Sequence, residues 1–245
     1  LFGKPSGTIF GAPQNFQETQ YMNWFTNFFS STIGRKLVMA LTGLFLILFL
    51  IVHLIGNLQL LHHDEGRAFN IYAQFMTSNP VIKIVGYVNY AMIIFHVIWA
   101  IWLTRKNRAS RGSVGYAVNN NPSTWSSRNM GILGTLILIF LVIHLRGFWY
   151  QMHWGNIPTK NYDGVETKDL FATVDFAYES PGFVLLYVIS MIILAFHLYH
   201  GFGSAFQTLG LNHVKYNPVI KVIGVAFAII VPALFALIPI VMYFN

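Results

Sequence analysis

The chain has 245 residues, 55% of them hydrophobic and 9% charged, with no cysteine and a formal net charge of +7. About a quarter of the residues in a soluble domain are charged, so this composition predicts an integral membrane protein. Without cysteine, thiolate zinc sites, iron–sulfur ligation and disulfides are excluded, leaving nitrogen, oxygen or methionine sulfur as metal ligands. The basic residues sit beside apolar segments rather than on one soluble face. Membrane topology therefore explains them, and no nucleic-acid partner is expected.

In chain order, residues 1–33 form a mixed, aromatic N-terminal segment with Pro5 and Pro13. It lacks the compact apolar core of a signal peptide. The chain begins at Leu1, so its start is expected to be processed or incomplete, and Tyr21–Ser31 is read as a short amphipathic stretch on a membrane surface. Residues 34–245 form the second region. Apolar runs long enough to cross about 30 Å of hydrocarbon fall at 36–61, 81–103, 130–150, 182–207 and 218–243. Pro80, Pro122, Pro181 and Pro218 precede spans two to five, where a missing N–H is tolerated. Pro232 and Pro239 fall inside the fifth span and are expected to kink it. That span has no histidine and reads as a packing element. The fold class is thus all-α, with five transmembrane helices of which the first four form a cofactor-binding bundle.

Lysine and arginine set the orientation. With the N-terminus inside, inner segments hold Lys4, Arg35, Lys36, Arg105, Lys106, Arg108, Arg111, Arg128, Lys215 and Lys221, ten of the 15 basic residues. Arg67, Lys83, Arg146, Lys160 and Lys168 are outside, as are all acidic residues except Glu18. The positive-inside rule then predicts an inner N-terminus and an outer C-terminus. The outer loop at 151–180 reads as too short for a domain of its own.

Four spans each carry one deeply placed histidine, in two matched contexts. Gly43 precedes His53 by ten residues, and Gly134 precedes His144 by ten, each across an unbroken run dominated by Leu, Ile, Val and Phe. The second pair is Phe95-His96 and Phe196-His197. His53 and His144 lie about 10 Å from the outer ends of helices one and three, whereas His96 and His197 lie about 22 Å from the outer ends of helices two and four. The pairs are therefore level with each other at two depths. Zinc wants four ligands, or three plus water, and only His200, three residues after His197, leaves a weak zinc option. Haem iron needs just two axial ligands, so bis-histidine haem fits one histidine per helix. No C-x-x-C-H occurs, which excludes covalent attachment. Gly43 and Gly134 are helix-packing glycines by default, and their registration with histidine also suits a flat macrocycle close to the backbone. His200 reads as structural. His62, His63 and His153 read as boundary imidazoles, His213 as a solvated loop residue, and Trp149, Tyr150 and Trp154 as an interfacial belt.

Further motifs carry a family resemblance. They are Ser31-Thr32-Ile33-Gly34-Arg35, Thr42-Gly43 entering helix one, His53-Leu54, Phe95-His96, Val142-Ile143-His144, and Phe196-His197 followed by Gly201 and Ser204-Ala205-Phe206. Over about residues 28–243 the chain resembles the di-haem cytochrome b membrane anchor of succinate:quinone oxidoreductases, in the single-chain, five-helix form often called the b558 family. The resemblance implies two haem b groups, with His53 and His144 holding the outer one and His96 and His197 the inner one. It implies a flavoprotein subunit and an iron–sulfur subunit docked on the inner face, near Lys36, the Arg105–Arg111 run and Lys215. It also implies electron exchange with a quinone such as menaquinone near the outer surface of a bacterial cytoplasmic (inner) membrane. The chain alone would not be a complete enzyme.

Two residues are singled out by position. Arg35, at the inner end of helix one, either pairs with a haem propionate or snorkels. Glu65, at the outer mouth, is the candidate proton donor to quinone. Two rival readings share part of this pattern. One is another haem b protein, such as the anchor of a hydrogenase or formate dehydrogenase or a b561-type reductase. The other is a transporter using the histidines for metal ions or protons, against which the apolar neighbours Leu50–Val52 and Leu141–Ile143 argue.

Overall fold

The structure, a computed structural model, describes residues 16–111 and 124–245. Residues 1–15, with Lys4, Pro5 and Pro13, and Pro122 ahead of the third span lie outside the described residues. Helix α1 covers Phe16–Ser30 and α2 covers Thr32–Asn57, which tightens into a 3₁₀ turn at Leu58–Leu61. Then follow α3 (Arg67–Ser78), α4 (Pro80–Arg111) and α5 (Trp125–His144). A π-helical turn at Leu145–Trp149 leads from α5 into α6 (Tyr150–Trp154). A hairpin of β1 (Thr159–Tyr162) and β2 (Val165–Lys168), then α7 (Leu170–Tyr178), α8 (Pro181–Thr208) and α9 (Asn217–Phe244) complete the chain.

Among the described residues, five stretches are long and apolar enough to cross a membrane: Thr32–Leu61, Pro80–Ser110, Trp125–Trp154, Pro181–Thr208 and Asn217–Phe244. All extend beyond the apolar runs read from sequence, because helices carry polar first and last turns. Helix α5 starts five residues before its apolar run, with the Thr124 hydroxyl accepting from the Ser127 N–H as an N-cap. Helix α9 continues through Pro232 and Pro239, both buried.

The described residues fall into two compact units, one up to Lys36 and one from Leu37 onward. Within the first, Ser31 makes the corner between α1 and α2: its Oγ donates to the Phe28 carbonyl and accepts from the Gly34 N–H. Gly34 is required there, since a Cβ would collide with the Phe28 carbonyl. Arg35 closes the same corner, its Nε donating to the Phe29 carbonyl at 2.7 Å.

Within the second unit, α8 packs closely against both α5 and α9. Helix α2 meets them through side chains, Ile47 joining Leu198, Phe202 and Ala228 in one apolar cluster. A larger cluster at the other end unites Leu60, Phe69, Phe148, Val174, Tyr187 and Ile238. This second cluster lies beneath a cap built of α3, the hairpin and α7. The segment 151–180, read from sequence as an outer loop, contains the hairpin and α7. The fold class stays all-α, with this two-stranded hairpin as a small addition. The turn explains the hairpin: Asp163 and Gly164 both have positive φ, 54° and 88°, the two-residue pattern that matches strand twist.

The cap is held by polar groups that burial makes interdependent. Asn70 is fully buried. Its amide donates to Asp169 Oδ1 at 2.8 Å and to the Tyr162 hydroxyl at 3.0 Å, while its oxygen accepts from the Phe171 N–H at 2.9 Å. Asp169 in turn caps α7 through the Ala172 N–H and pairs with Lys160 at 3.3 Å. Lys160 also donates to the Glu65 carbonyl. One amide thus ties α3 to the hairpin and to the start of α7. Replacing Asn70 with Leu removes one of the partners of Asp169 and leaves the Phe171 N–H without its acceptor, an unsatisfied buried group costing about 1–3 kcal/mol. The expected result is a cooperative unfolding transition several degrees lower in detergent, with early proteolysis inside 151–180.

Candidate functional site

Helices α2, α4, α5 and α8 bring the four histidines together in two pairs. The ring of His53 lies 5.8 Å from that of His144, centroid to centroid, and the ring of His96 lies 6.3 Å from that of His197. The first pair is on the cap side, and the second is farther along the helices. All four residues are partly exposed.

Aromatic rings wall the cap-side pair, and the sequence repeat is visible in them. Phe49 stacks on His53 at 5.2 Å, and Phe140 stands 5.7 Å from His144, each one helical turn before its histidine. Phe235 of α9 stands 5.6 Å from His53, so the fifth helix contributes to this site as well as to packing. The π turn begins immediately after His144, and such turns re-aim the side chains that follow. Here Phe148 is buried against His144 at 5.7 Å, and the Trp149 indole N–H donates to the Tyr90 hydroxyl at 2.7 Å. The Tyr187 hydroxyl is hydrogen-bonded to His144 Nδ1 at 3.2 Å. His53 has no comparable ring partner: the Asn57 amide donates to the His53 carbonyl at 2.8 Å and touches both ring nitrogens only at 3.4 Å.

The glycines of the repeat face the far pair rather than the histidines of their own helices. A Cβ on Gly43 would stand 3.5 Å from His96 Cε1, and one on Gly134 would stand 3.8 Å from His197 Cε1. Ten residues along a helix advance about 15 Å, which carries a residue from one pair's level to the other's. The Thr42 hydroxyl stands 2.9 Å from the Val38 carbonyl and 3.1 Å from His96 Nδ1. A carbonyl only accepts, so with the hydroxyl proton directed to Val38 the His96 tautomer that fits is the one whose Nδ1–H donates to Thr42. In that tautomer Nε2 carries the lone pair. His197 Nδ1, by contrast, is buried without a hydrogen-bond partner, a condition that costs about 1–3 kcal/mol.

Two imidazoles bound to opposite sides of one metal ion, each at about 2 Å, place their ring centroids about 6 Å apart. Both pairs have this separation. No group of three or more His, Asp or Glu side chains is placed to hold an ion among the described residues, so the donor set at each level is two nitrogens. Two nitrogens suit a group that brings its own equatorial ligands, as haem does. The residues present therefore fit bis-histidine haem at both levels.

Glu65 belongs to neither pair. It lines a cavity of about 340 Å³ in the cap with His62, His63 and Asp175, over an apolar floor that includes Leu61, Phe171 and Met242. Its backbone is in the left-handed region, φ 55°, followed by Gly66 at 82°. Asp64 braces this turn by accepting from the N–H groups of Gly66 and Ala68. His153 is a local anchor, its Nδ1 hydrogen-bonded to the Trp149 carbonyl, and His213 accepts from the Lys215 N–H in an exposed turn. Thr42, Tyr187 and Phe235 are contributions that the sequence reading does not assign. The available signal is the ten-residue interval, since Tyr187 precedes His197 by the same spacing as Gly43 precedes His53. Comparison with protein-family models, with curated proteins and with solved structures finds no match to this chain.

Proposed function

We propose that this chain is the di-haem cytochrome b membrane anchor of a succinate:quinone oxidoreductase. Its five apolar helices cross a bacterial cytoplasmic membrane, with the N-terminus inside and the C-terminus outside. The observation that carries the reading is the pairing of four histidines from four different helices into two sets, at ring separations of 5.8 and 6.3 Å. His53 and His144 would hold the outer haem and His96 and His197 the inner one, with Gly43 and Gly134 keeping the space beside the inner imidazoles clear. Haem b bound at these levels supplies a one-electron relay between a partner iron–sulfur subunit and membrane quinone. Held by two histidines each, the groups would serve electron transfer rather than binding of oxygen or substrate.

The flavoprotein and iron–sulfur partners dock on the inner face, where the basic residues of α4 and Lys215 lie on this topology. Menaquinone reacts at the outer end. Quinone reduction consumes two protons for two electrons. In the cap cavity Glu65, His62, His63 and Asp175 are groups able to carry protons over an apolar floor suited to a quinone ring. Arg35, whose Nε holds the α1–α2 corner, stays at the inner end, where a haem propionate is its candidate partner.

Pyridine haemochrome analysis of the purified complex is expected to give two haems b per chain, with a flavoprotein and an iron–sulfur subunit co-purifying. Co-purification of hydrogenase or formate dehydrogenase subunits would reassign the anchor, and a folded preparation without haem would return the histidines to a transporter. His96→Ala is expected to lose only the inner haem. Gly43→Leu should do the same although Gly43 shares a helix with His53, because its side chain would displace the His96 ring; loss of the outer haem instead would contradict the assignment. Glu65→Gln is expected to lower quinone turnover at least tenfold with both haems retained, and unchanged turnover would remove Glu65 from the proton path.

A further inference from the structure

The two halves of the repeat differ at one position beside the inner pair. Aligning Gly43 with Gly134 sets Thr42 against Leu133. Both are buried, at 4% exposure, and both directly precede the glycine that abuts an inner imidazole. At Thr42 the imidazole has a hydroxyl partner, with His96 Nδ1 at 3.1 Å. In the half of the repeat that carries Leu133, the imidazole beside the glycine is His197, and its Nδ1 is buried with no partner. A leucine side chain has no atom to offer it.

We infer that Thr42 is a positioning residue for the inner centre: it fixes His96 with Nε2 bare and makes it the stronger donor of an unequal ligand pair, its counterpart Leu133 leaving His197 unsupported. The inference rests on the haem reading above. The physical basis is general to histidine ligands. A ring whose second nitrogen donates to a fixed acceptor is held in one tautomer and orientation and becomes more basic toward the metal. Thr42 is placed to do so because its hydroxyl lies 2.9 and 3.1 Å from the Val38 and Met39 carbonyls, which accept its proton. The hydroxyl then presents its lone pairs to the ring. A more basic ligand stabilises the oxidised iron, so removing the hydroxyl raises the inner haem's midpoint potential and adding one at position 133 lowers it.

The test is a redox titration of the intact complex, followed by optical and low-temperature electron paramagnetic resonance spectra. The variants are Thr42→Val, Thr42→Ser and Leu133→Thr. Thr42→Val is expected to shift the inner midpoint upward and alter the inner haem's resonance. The outer haem should be unmoved. Thr42→Ser should restore the wild-type values, and Leu133→Thr should shift the inner midpoint downward. Two haems per chain with an inner midpoint and resonance unchanged in Thr42→Val would overturn the inference while leaving the haem reading intact. No haem in the wild-type complex would overturn the haem reading and the inference together. If Thr42→Val lost the inner haem altogether, retention in Thr42→Ser would support the hydroxyl's role, and loss in both would reduce Thr42 to packing.

Discussion

An imidazole taken out of water keeps two polar nitrogens, and an apolar helix interior offers them almost nothing. Each nitrogen must find a hydrogen-bond partner, a metal or a remnant of solvent. The helical part of this protein is organised around that constraint. Four histidines lie in runs that are otherwise leucine, isoleucine, valine and phenylalanine, and α2, α4, α5 and α8 are arranged so that each ring faces another. Thr42 and Tyr187 serve one ring of each pair. The remaining nitrogens, His197 Nδ1 above all, are not accounted for by the polypeptide alone, and on the proposed reading the site is completed by haem.

The same logic governs the cap by different means. There the buried polar groups satisfy one another: Asn70, Asp169, Tyr162 and Lys160 form a closed set linking α3, the hairpin and α7. Such a set is worth more intact than any single bond within it, because each deletion strands a partner in low dielectric. The cap also holds Glu65 in its left-handed turn beside the 340 Å³ cavity. The cap and the cap-side histidine pair are linked through Tyr187, which touches His144 and also packs with Tyr178 of α7 at 5.3 Å. Loosening the cap is therefore felt at the nearer histidine pair.

Local sequence carries the helices because apolar length and proline placement are properties of a continuous stretch. The five long helices, the prolines at the starts of α4, α8 and α9, and the level pairing of the histidines are legible in this way. Their polar ends are not, since capping turns such as Thr124 to Ser127 are indistinguishable by hydropathy from loop. The hairpin had a signal in Asp163-Gly164 between two short strands, but four-residue strands carry too little periodicity to stand out from a polar loop. Helix α3 is hidden for a related reason: its sequence is mixed in polarity, and it is held by Phe69, buried in the apolar cluster, and by the buried Asn70 that ties it to the hairpin and α7.

The histidine pairs divide along the same line. Sequence alone determined that four imidazoles lie in four helices at two depths, because rise per residue is fixed and depth is a matter of counting. The tertiary structure decided what surrounds each ring: that Gly43 and Gly134 abut the far pair, that α9 sends Phe235 to His53, that a π turn seats Phe148 against His144, and that Thr42 and Tyr187 meet their nitrogens. These depend on how each helix is rotated about its axis and how far it stands from its neighbours. Side-chain packing between segments distant in the chain sets both quantities, and no local pattern encodes them.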